Sequence, residues 1–241
     1  MPSDFVYKRI LLKITGEALK GNNDQGFDTD AIESLVDDMA QVLDGGVELA
    51  IVLGAGNLWR GAIGKKLGMD PVRADYMGML GTVMNALAMK DAFEKRGINC
   101  EVQTSINMHP IAEPFDHSKA IKYIEEGRVV IFAGGTGHPF FTTDTAAALR
   151  ALEVGAEAFF KATKVNGVYS DDPVKNPSAT RYEKLSFDEA LYKNLKVMDS
   201  TAFSLCRDNN LPIVVFNFSD HKNLIRVLEG NTETATIVSN N

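Results

Sequence analysis

Short runs rich in Ile, Val, Leu and Phe alternate along the chain with longer stretches in which apolar residues recur every three or four positions. The short runs predict buried strands at residues 10–14, 47–53, around Val102, at 129–133 and at 156–161. Between them the helical spacing predicts helices over 29–43, 74–93, 117–126 and 144–152. The first of these carries Ile32, Leu35, Val36, Met39, Val42 and Leu43 on one face and is stopped by Gly45 and Gly46. Gly127 closes the third. Beyond residue 161 the rhythm is less regular. Residues 168–184, rich in Asp, Pro, Asn and Ser, predict a loop or hairpin; helices follow at 187–192 and 200–208, a strand at 211–216, a helix at 222–228 and a last strand at 235–238.

Strands that alternate with helices of this length predict a mainly parallel central sheet covered on both faces, a three-layer α/β/α sandwich. No internal repeat or linker interrupts it. One domain over 1–241 is expected, with two lobes, 1–155 and 156–241, sharing a continuous sheet.

Composition narrows the class of function. The chain has 241 residues, 45% hydrophobic and 24% charged, with a formal net charge of -7. It has no Lys/Arg block, which argues against a nucleic-acid or anionic-membrane partner. Cys100 and Cys206 form neither a metal spacing nor a disulfide framework and are expected to be buried. The start has no apolar signal region and no run reaches the ~20 residues of a membrane helix, so a cytoplasmic location is the default expectation. The histidines His109, His117, His138 and His221 have no ligand spacing.

Candidate chemistry sits where strands end. Ligands of open α/β sheets bind outside the carboxyl ends of the strands. Three such ends are unusual: Lys13-Ile14-Thr15-Gly16-Glu17, then 54–61 (GAGNLWRG), then 134–144 (GGTGHPFFTTD). Glycine lets backbone N–H groups approach a ligand closely, and successive free N–H groups attract anions. Lys13 and Arg60 add fixed cations. Neither the P-loop pattern nor the dinucleotide glycine fingerprint is present, because Gly64-Lys65 leads into Lys66 and the third fingerprint glycine is replaced by Trp59 or Phe140. The combination points to an anionic ligand and to phosphoryl transfer, which depends on positioned cations and backbone donors.

The stretches KITGEAL (13–19), GAGNLWRG (54–61), GTGHPFFTTDTAA (135–147), KATKVNGVYSDDP (161–173) and KVMDSTAF (196–203) resemble, in order, the bacterial uridylate kinases of the amino-acid kinase fold. The resemblance implies transfer of the ATP γ-phosphoryl group to UMP, with Mg²⁺ arriving on ATP. It implies catalytic roles for Lys13, Arg60 and Asp199. Lys13, Ile14, Thr15, Gly16, Gly56, Arg60, Thr163, Asn166, Tyr169 and Asp172 would meet ATP. Ala55, Asp75, Thr136, Gly137, His138, Pro139, Phe140, Phe141, Thr142 and Thr143 would meet UMP. It further implies a homohexamer with GTP and UTP as effectors, although residues 90–101 are less basic than a GTP site suggests. Plainer roles stand beside these. Lys13 as a surface lysine, Arg60 paired to a surface acid, Asp75, Asp144 or Asp199 as helix caps, Tyr169 as packing and Asp172 as a turn residue all fit the sequence. Ala55 stands where many relatives have glycine, a costly change only if the site needs a positive φ. Rival readings are a carbamate, glutamate or aspartate kinase on the same fold, a nucleotide sensor without turnover, and a dinucleotide-dependent oxidoreductase lacking its fingerprint.

Overall fold

The computed structural model describes residues 5–220 and 222–240, apart from the side chain of Lys65. Among these residues nine strands form one sheet: β1 Arg9–Ile14, β2 Glu48–Leu53, β3 Cys100–Thr104, β4 Glu113–Pro114, β5 Val129–Ala133, β6 Ala158–Thr163, β7 Lys184–Ser186, β8 Ile213–Asn217 and β9 Ala235–Ser239. Their order is β4-β3-β5-β2-β1-β6-β8-β9-β7. Every pairing is parallel except the antiparallel β8–β9 pair. The sheet is continuous across residue 155, because β1 pairs directly with β6.

Among the described residues eight α-helices flank it: α1 Thr29–Asp44, α2 Gly61–Lys66, α3 Pro71–Lys95, α4 His117–Glu125, α5 Thr143–Glu153, α6 Phe187–Tyr192, α7 Ser200–Asp208 and α8 Asn223–Leu228. Strand alternation divides the core in two. Ile10, Leu12 and Ile14 of β1 pack with Ile32, Met39, Val83, Phe93 and Leu224 from α1, α3 and α8. Leu11 faces the other way, toward Ala147, Ala151, Phe187 and Phe203 from α5, α6 and α7. Side chains two residues apart share a face, so Lys13 must face α5 with Leu11. In β6, Phe160 and Ala162 join the first cluster while Phe159 joins the second, which turns Lys161 toward α5 as well.

Differences from the expected elements are local. The 54–70 stretch holds the short helix α2, and Gly16–Lys20 forms a 3-10 helix, neither of which the periodicity predicts. The two-residue β4 and three-residue β7 are also missed, being too short to show a period. The longest helix begins at Pro71, with Asp70 as its N-cap accepting from Arg73 N at 3.1 Å. Proline at the first helical position loses no helical hydrogen bond. Residues 168–184 form the hairpin alternative: Tyr169 bridges Arg181, and Tyr182 N donates to Val168 O at 2.9 Å. Among the described residues no helix is long and apolar enough to cross a membrane.

Cys100 and Cys206 are free and buried, and burial pushes both thiols up to about 12. Native protein should therefore resist thiol reagents at pH 8 and release two thiols only in denaturant, a difference that a colorimetric thiol titration reads directly. Phe160 is fully buried, edge-on to Tyr7 and Phe216 at 5.5 Å and 5.9 Å. Phe160→Ala should cost about 3–5 kcal/mol of stability, measured by denaturant unfolding.

Candidate active site

The β1–β6 register sets Lys13 directly beside Lys161. Both face α5, so two ammonium groups come together in a largely buried position. The first turn of α5 supplies the counter-charge. Asp144 approaches Lys13 Nζ at 2.9 Å through Oδ1 and Lys161 Nζ at 2.5 Å through Oδ2. All three side chains are at most 15% exposed, so the pairings are weakly screened. Burial works against the charge on Asp144, but Lys13 and Lys161 hold its pKa below the ordinary carboxylate value. Burial pulls the Lys161 pKa down, and Asp144 opposes this without cancelling it. Lys161 also donates to Val197 O at 2.8 Å.

Asp144 is not the cap of α5. That role belongs to Thr142, which accepts from Asp144 N and Thr145 N. Asp199 accepts from Thr142 Oγ1 at 2.5 Å and Thr145 Oγ1 at 2.9 Å, and it caps α7 by accepting from Ala202 N at 3.0 Å. Asp199 thus reaches the lysines through α5, and the carboxylate that touches them is Asp144. This role of Asp144 was not expected from the sequence, and no role was expected for Lys161. The available signal was a lysine in the same alternating position within two apolar strands, RILLKI and AFFKAT.

Around this clamp lie the three glycine-bearing strand ends. Thr15 caps the 3-10 helix, and Gly16 is buried behind it. Ile14 is a core side chain whose carbonyl accepts from Gly54 N at 2.9 Å. Ala55 is not among the residues with positive φ, so its methyl carries no backbone strain; it rests against Gly81 of α3, where an added Cβ would come within 2.9 Å. Arg60 is 59% exposed and ion-paired to Glu17, and its Nε lies 3.4 Å from Gly56 O. That hydrogen bond from Arg60 holds the Glu17 carboxyl below its usual pKa. The third loop is pinned at three points. Gly134 N donates to Thr82 Oγ1 at 2.8 Å, Ser105 Oγ donates to Gly135 O at 2.7 Å, and Phe140 N donates to Asp75 Oδ2 at 2.8 Å. Gly134, Gly135 and Gly137 all have positive φ, and an added Cβ at Gly134 would meet Thr104 Oγ1 at 2.7 Å.

Two clefts open near the clamp, one lined by Lys161 itself and one by Thr142 and Thr143, which precede Asp144. One is lined by Ala55, Asp75, Thr136, Phe141, Thr142 and Thr143, together with Trp59, Gly78 and Met79. Asp75 lies in it, inside α3 and away from its cap. Gly137 packs on Ser105, where a Cβ would come within 3.0 Å of the carbonyl oxygen. His138 N donates to Thr136 Oγ1 at 3.2 Å. Pro139, Phe140 and His138 are not among the lining residues, and the Phe140 ring is 76% exposed. The other cleft, of about 610 Å³, is lined by Lys161, Thr163, Tyr169, Asp172, Lys175, Val197 and neighbouring residues. That size accommodates a nucleoside. Thr163 Oγ1 lies 2.8 Å from Val165 O. Asn166 stands outside the lining, and its Oδ1 accepts from Asn217 Nδ2 at 2.8 Å. Asp172 accepts from Val174 N at 3.0 Å, so it is a turn residue as well as part of the rim. Lys13, Asp144 and Lys161 pair with one another rather than with a histidine, and His221 lies outside the described residues.

A parallel sheet with paired cations at its central strand ends and two clefts nearby can receive anionic ligands. The amino acid kinase family model matches residues 8–217, and the chain belongs to that family. Solved structures narrow the likeness. The chain is 36% identical to the UMP kinase of Bacillus anthracis, covering 98% of this chain and 97% of that one with a TM-score of 0.93. It is 40% identical to the UMP kinase of Ureaplasma parvum, covering 96% and 98% with a TM-score of 0.92. The uridylate kinase of Archaeoglobus fulgidus is 25% identical, with 95% and 99% covered and a TM-score of 0.73.

Asp144→Asn should leave two buried ammonium groups facing each other and cost about 3–5 kcal/mol of stability. Because the folded-state pKa of Asp144 is depressed, its contribution is present above the unfolded value near ~4 and is lost as pH falls through the folded value. Melting curves from pH 7 down to pH 3 should therefore fall more steeply for the parent than for Asp144→Asn. Equal slopes would deny the clamp its charge.

Proposed function

We propose that the chain is a UMP kinase, transferring the γ-phosphoryl group of ATP to UMP to give ADP and UDP in pyrimidine nucleotide synthesis. The single observation that carries the reading is the Lys13–Asp144–Lys161 clamp between two clefts. Lys161 lines the larger cleft, and Thr142 and Thr143, immediately before Asp144, line the smaller. A phosphoryl group passing between ligands in these clefts would cross the lysine pair. The likeness to UMP kinases in two bacteria supports UMP as the acceptor.

In this reading ATP takes the larger cleft, its ribose and base near Thr163, Tyr169 and Asp172, with Asn166 acting through Asn217. UMP takes the smaller cleft. The Asp75 carboxylate, an acceptor only, suits ribose hydroxyls, which would displace the Phe140 N–H it now holds. An oxygen of the UMP phosphate attacks the γ-phosphorus in line, and the bond to the ADP oxygen breaks as the new one forms. That phosphate is already ionised near pH 7, so no general base is required. Lys13, Lys161 and Arg60 neutralise charge on the transferring group, and backbone N–H groups near Gly16 and Gly56 add donors that cost no reorganisation. Mg²⁺ would supply further charge neutralisation on the nucleotide phosphates. Asp144 already holds two lysines and Asp199 accepts three donors, which fits a cation carried mainly by phosphate oxygens.

A homo-oligomer fits the surface of α3. Met77, Leu80, Met84 and Leu87 are 37–53% exposed and follow a three-four spacing, with Arg73 and Asp91 at the two ends. Two such helices, antiparallel about Thr82, would set Leu80 against Met84 of the second copy and Arg73 against its Asp91. The pattern is self-complementary, as an isologous contact requires.

The deciding assay is ADP release from MgATP with UMP, CMP, dUMP, carbamate, glutamate and aspartate offered separately. UDP formed with UMP is expected. Turnover with an amino acid or carbamate would move the acceptor, and silence with all would favour a sensor. Repeating the assay with GTP or UTP reads the effector response that the resemblance implies. Arg60→Ala should lower kcat by roughly 10²–10³, and normal turnover would remove Arg60 from the mechanism. Leu80→Glu with Met84→Glu should reduce the molar mass in light scattering toward 26.3 kDa.

A further inference from the structure

Beneath the first two glycine loops lies a polar pair that the reaction scheme does not use. Asn57 and Asn85 are 1% and 0% exposed. Their amides face each other in a reciprocal double hydrogen bond. Asn57 Nδ2 donates to Asn85 Oδ1 at 3.0 Å, and Asn85 Nδ2 donates to Asn57 Oδ1 at 2.8 Å. Each amide has one further hydrogen, and both reach backbone. Asn85 Nδ2 donates to Gly54 O at 2.7 Å, and Asn57 Nδ2 donates to Gly26 O at 2.9 Å. Gly26 N in turn donates to Asn57 O at 3.0 Å. Burying two primary amides is costly unless their donors are satisfied, and here all four N–H groups are used.

The pair forms a flat floor, and Gly16 lies on it. A Cβ at Gly16 would stand 2.4 Å from Asn57 Oδ1, 2.5 Å from Gly54 O and 2.9 Å from Asn85 Nδ2. Only glycine brings the β1 loop this close. Asn57 also lies in the turn that ends at Arg60, where Leu58 N and Trp59 N both reach Ala55 O. One rigid contact therefore joins α3, the loop that follows Lys13 and the loop that carries Arg60.

We infer that Asn57 and Asn85 are a positioning pair for phosphoryl transfer, fixing the Thr15–Gly16 donors and Lys13 against the Ala55–Arg60 turn. The inference rests on the kinase reading above for its kinetic consequence, though not for its structural one. Lys13 and Arg60 act on the phosphoryl group in flight, whereas the nucleosides are held by other residues. Loosening the floor should therefore lower kcat and leave the KM values nearly unchanged. A misplacement of about 1 Å between transition-state groups costs up to ~10² in rate.

The test uses Asn85→Leu, close in shape without donors, and Asn85→Ala, which leaves room for water should the leucine variant fail to fold. Met89→Ala, one turn further along α3 and fully buried in the core, is the control for plain destabilisation. We expect kcat with UMP to fall about tenfold to a hundredfold in the Asn85 variants, with both KM values within about threefold of the parent. The Met89 variant should melt lower yet keep its kcat. Unchanged kcat in folded Asn85 variants, or an equal loss in Met89→Ala, would overturn the proposal. Hydrogen exchange by mass spectrometry reads the floor without any acceptor. Amides of residues 14–20 and 54–60 should exchange faster in the Asn85 variants, while residues 134–143 stay as in the parent. A parent silent with UMP would sink the kinase reading alone; unchanged exchange at both loops would sink the pair.

Discussion

Two like charges are forced together at the centre of the sheet, and much of the site is arranged around that constraint. Parallel register puts Lys13 next to Lys161, and strand alternation sends both toward the same helix layer. Like charges directly opposite on a sheet repel. Their burial raises the cost, since each side chain is at most 15% exposed and loses much of its solvation. A carboxylate must therefore come from the covering helix, and Asp144 supplies it from the first turn of α5. That fixes where α5 begins. Thr142 is the cap, Asp199 holds Thr142 and Thr145, and the same Asp199 caps α7. A chain of hydrogen bonds thus runs from the sheet through α5 to α7.

The same constraint prepares the chemistry. A buried ion triad is rarely the cheapest core, because apolar side chains of similar volume pack without desolvation. Its retention at the strand ends, where Lys161 lines the larger cleft, makes sense if incoming phosphate is the partner for which the positive charge is kept. The clamp carries two cations and one anion. It therefore presents a net positive charge that is already oriented before a ligand arrives, which is the condition under which electrostatics lowers a barrier most.

Much of the fold was legible because its signals are long and regular. The buried runs of β1, β2 and β5 and the periodic face of α1 leave little choice. Short elements were not legible: β4 and β7 have too few residues to show a period, and the Gly16–Lys20 turn owes its shape to Thr15 and Gly16 against neighbours far along the chain. The site divides in the same way. Lys13, Arg60 and the 134–143 glycine loop stand out locally, by charge or glycine beside a strand end, whereas Asp75, inside α3, was expected only through the resemblance to uridylate kinases. Asp144, Lys161, Asn57, Asn85 and Ser105 take their roles from partners 17 or more residues away in sequence or from register across β1 and β6, and no local pattern encodes those distances.

Helix α3 shows why the distant partners matter. On its inner side Asp75, Thr82 and Asn85 hold two loops: Asp75 and Thr82 take the 134–143 loop at Phe140 N and Gly134 N, and Asn85 takes the β2 loop at Gly54 O. Gly81 lets Ala55 approach, and Ala74 O accepts from Trp59 Nε1 at 2.9 Å. On its outer side the same helix carries the apolar row Met77, Leu80, Met84 and Leu87. A 25-residue helix moves largely as one body. Any shift imposed on the outer row is therefore felt at Asp75 in the smaller cleft and at the amide floor under Gly16 together. Loops held to one helix at several points cannot drift independently, so the spacing between the strand-end loops is set by the rigidity of α3 rather than by the loops themselves.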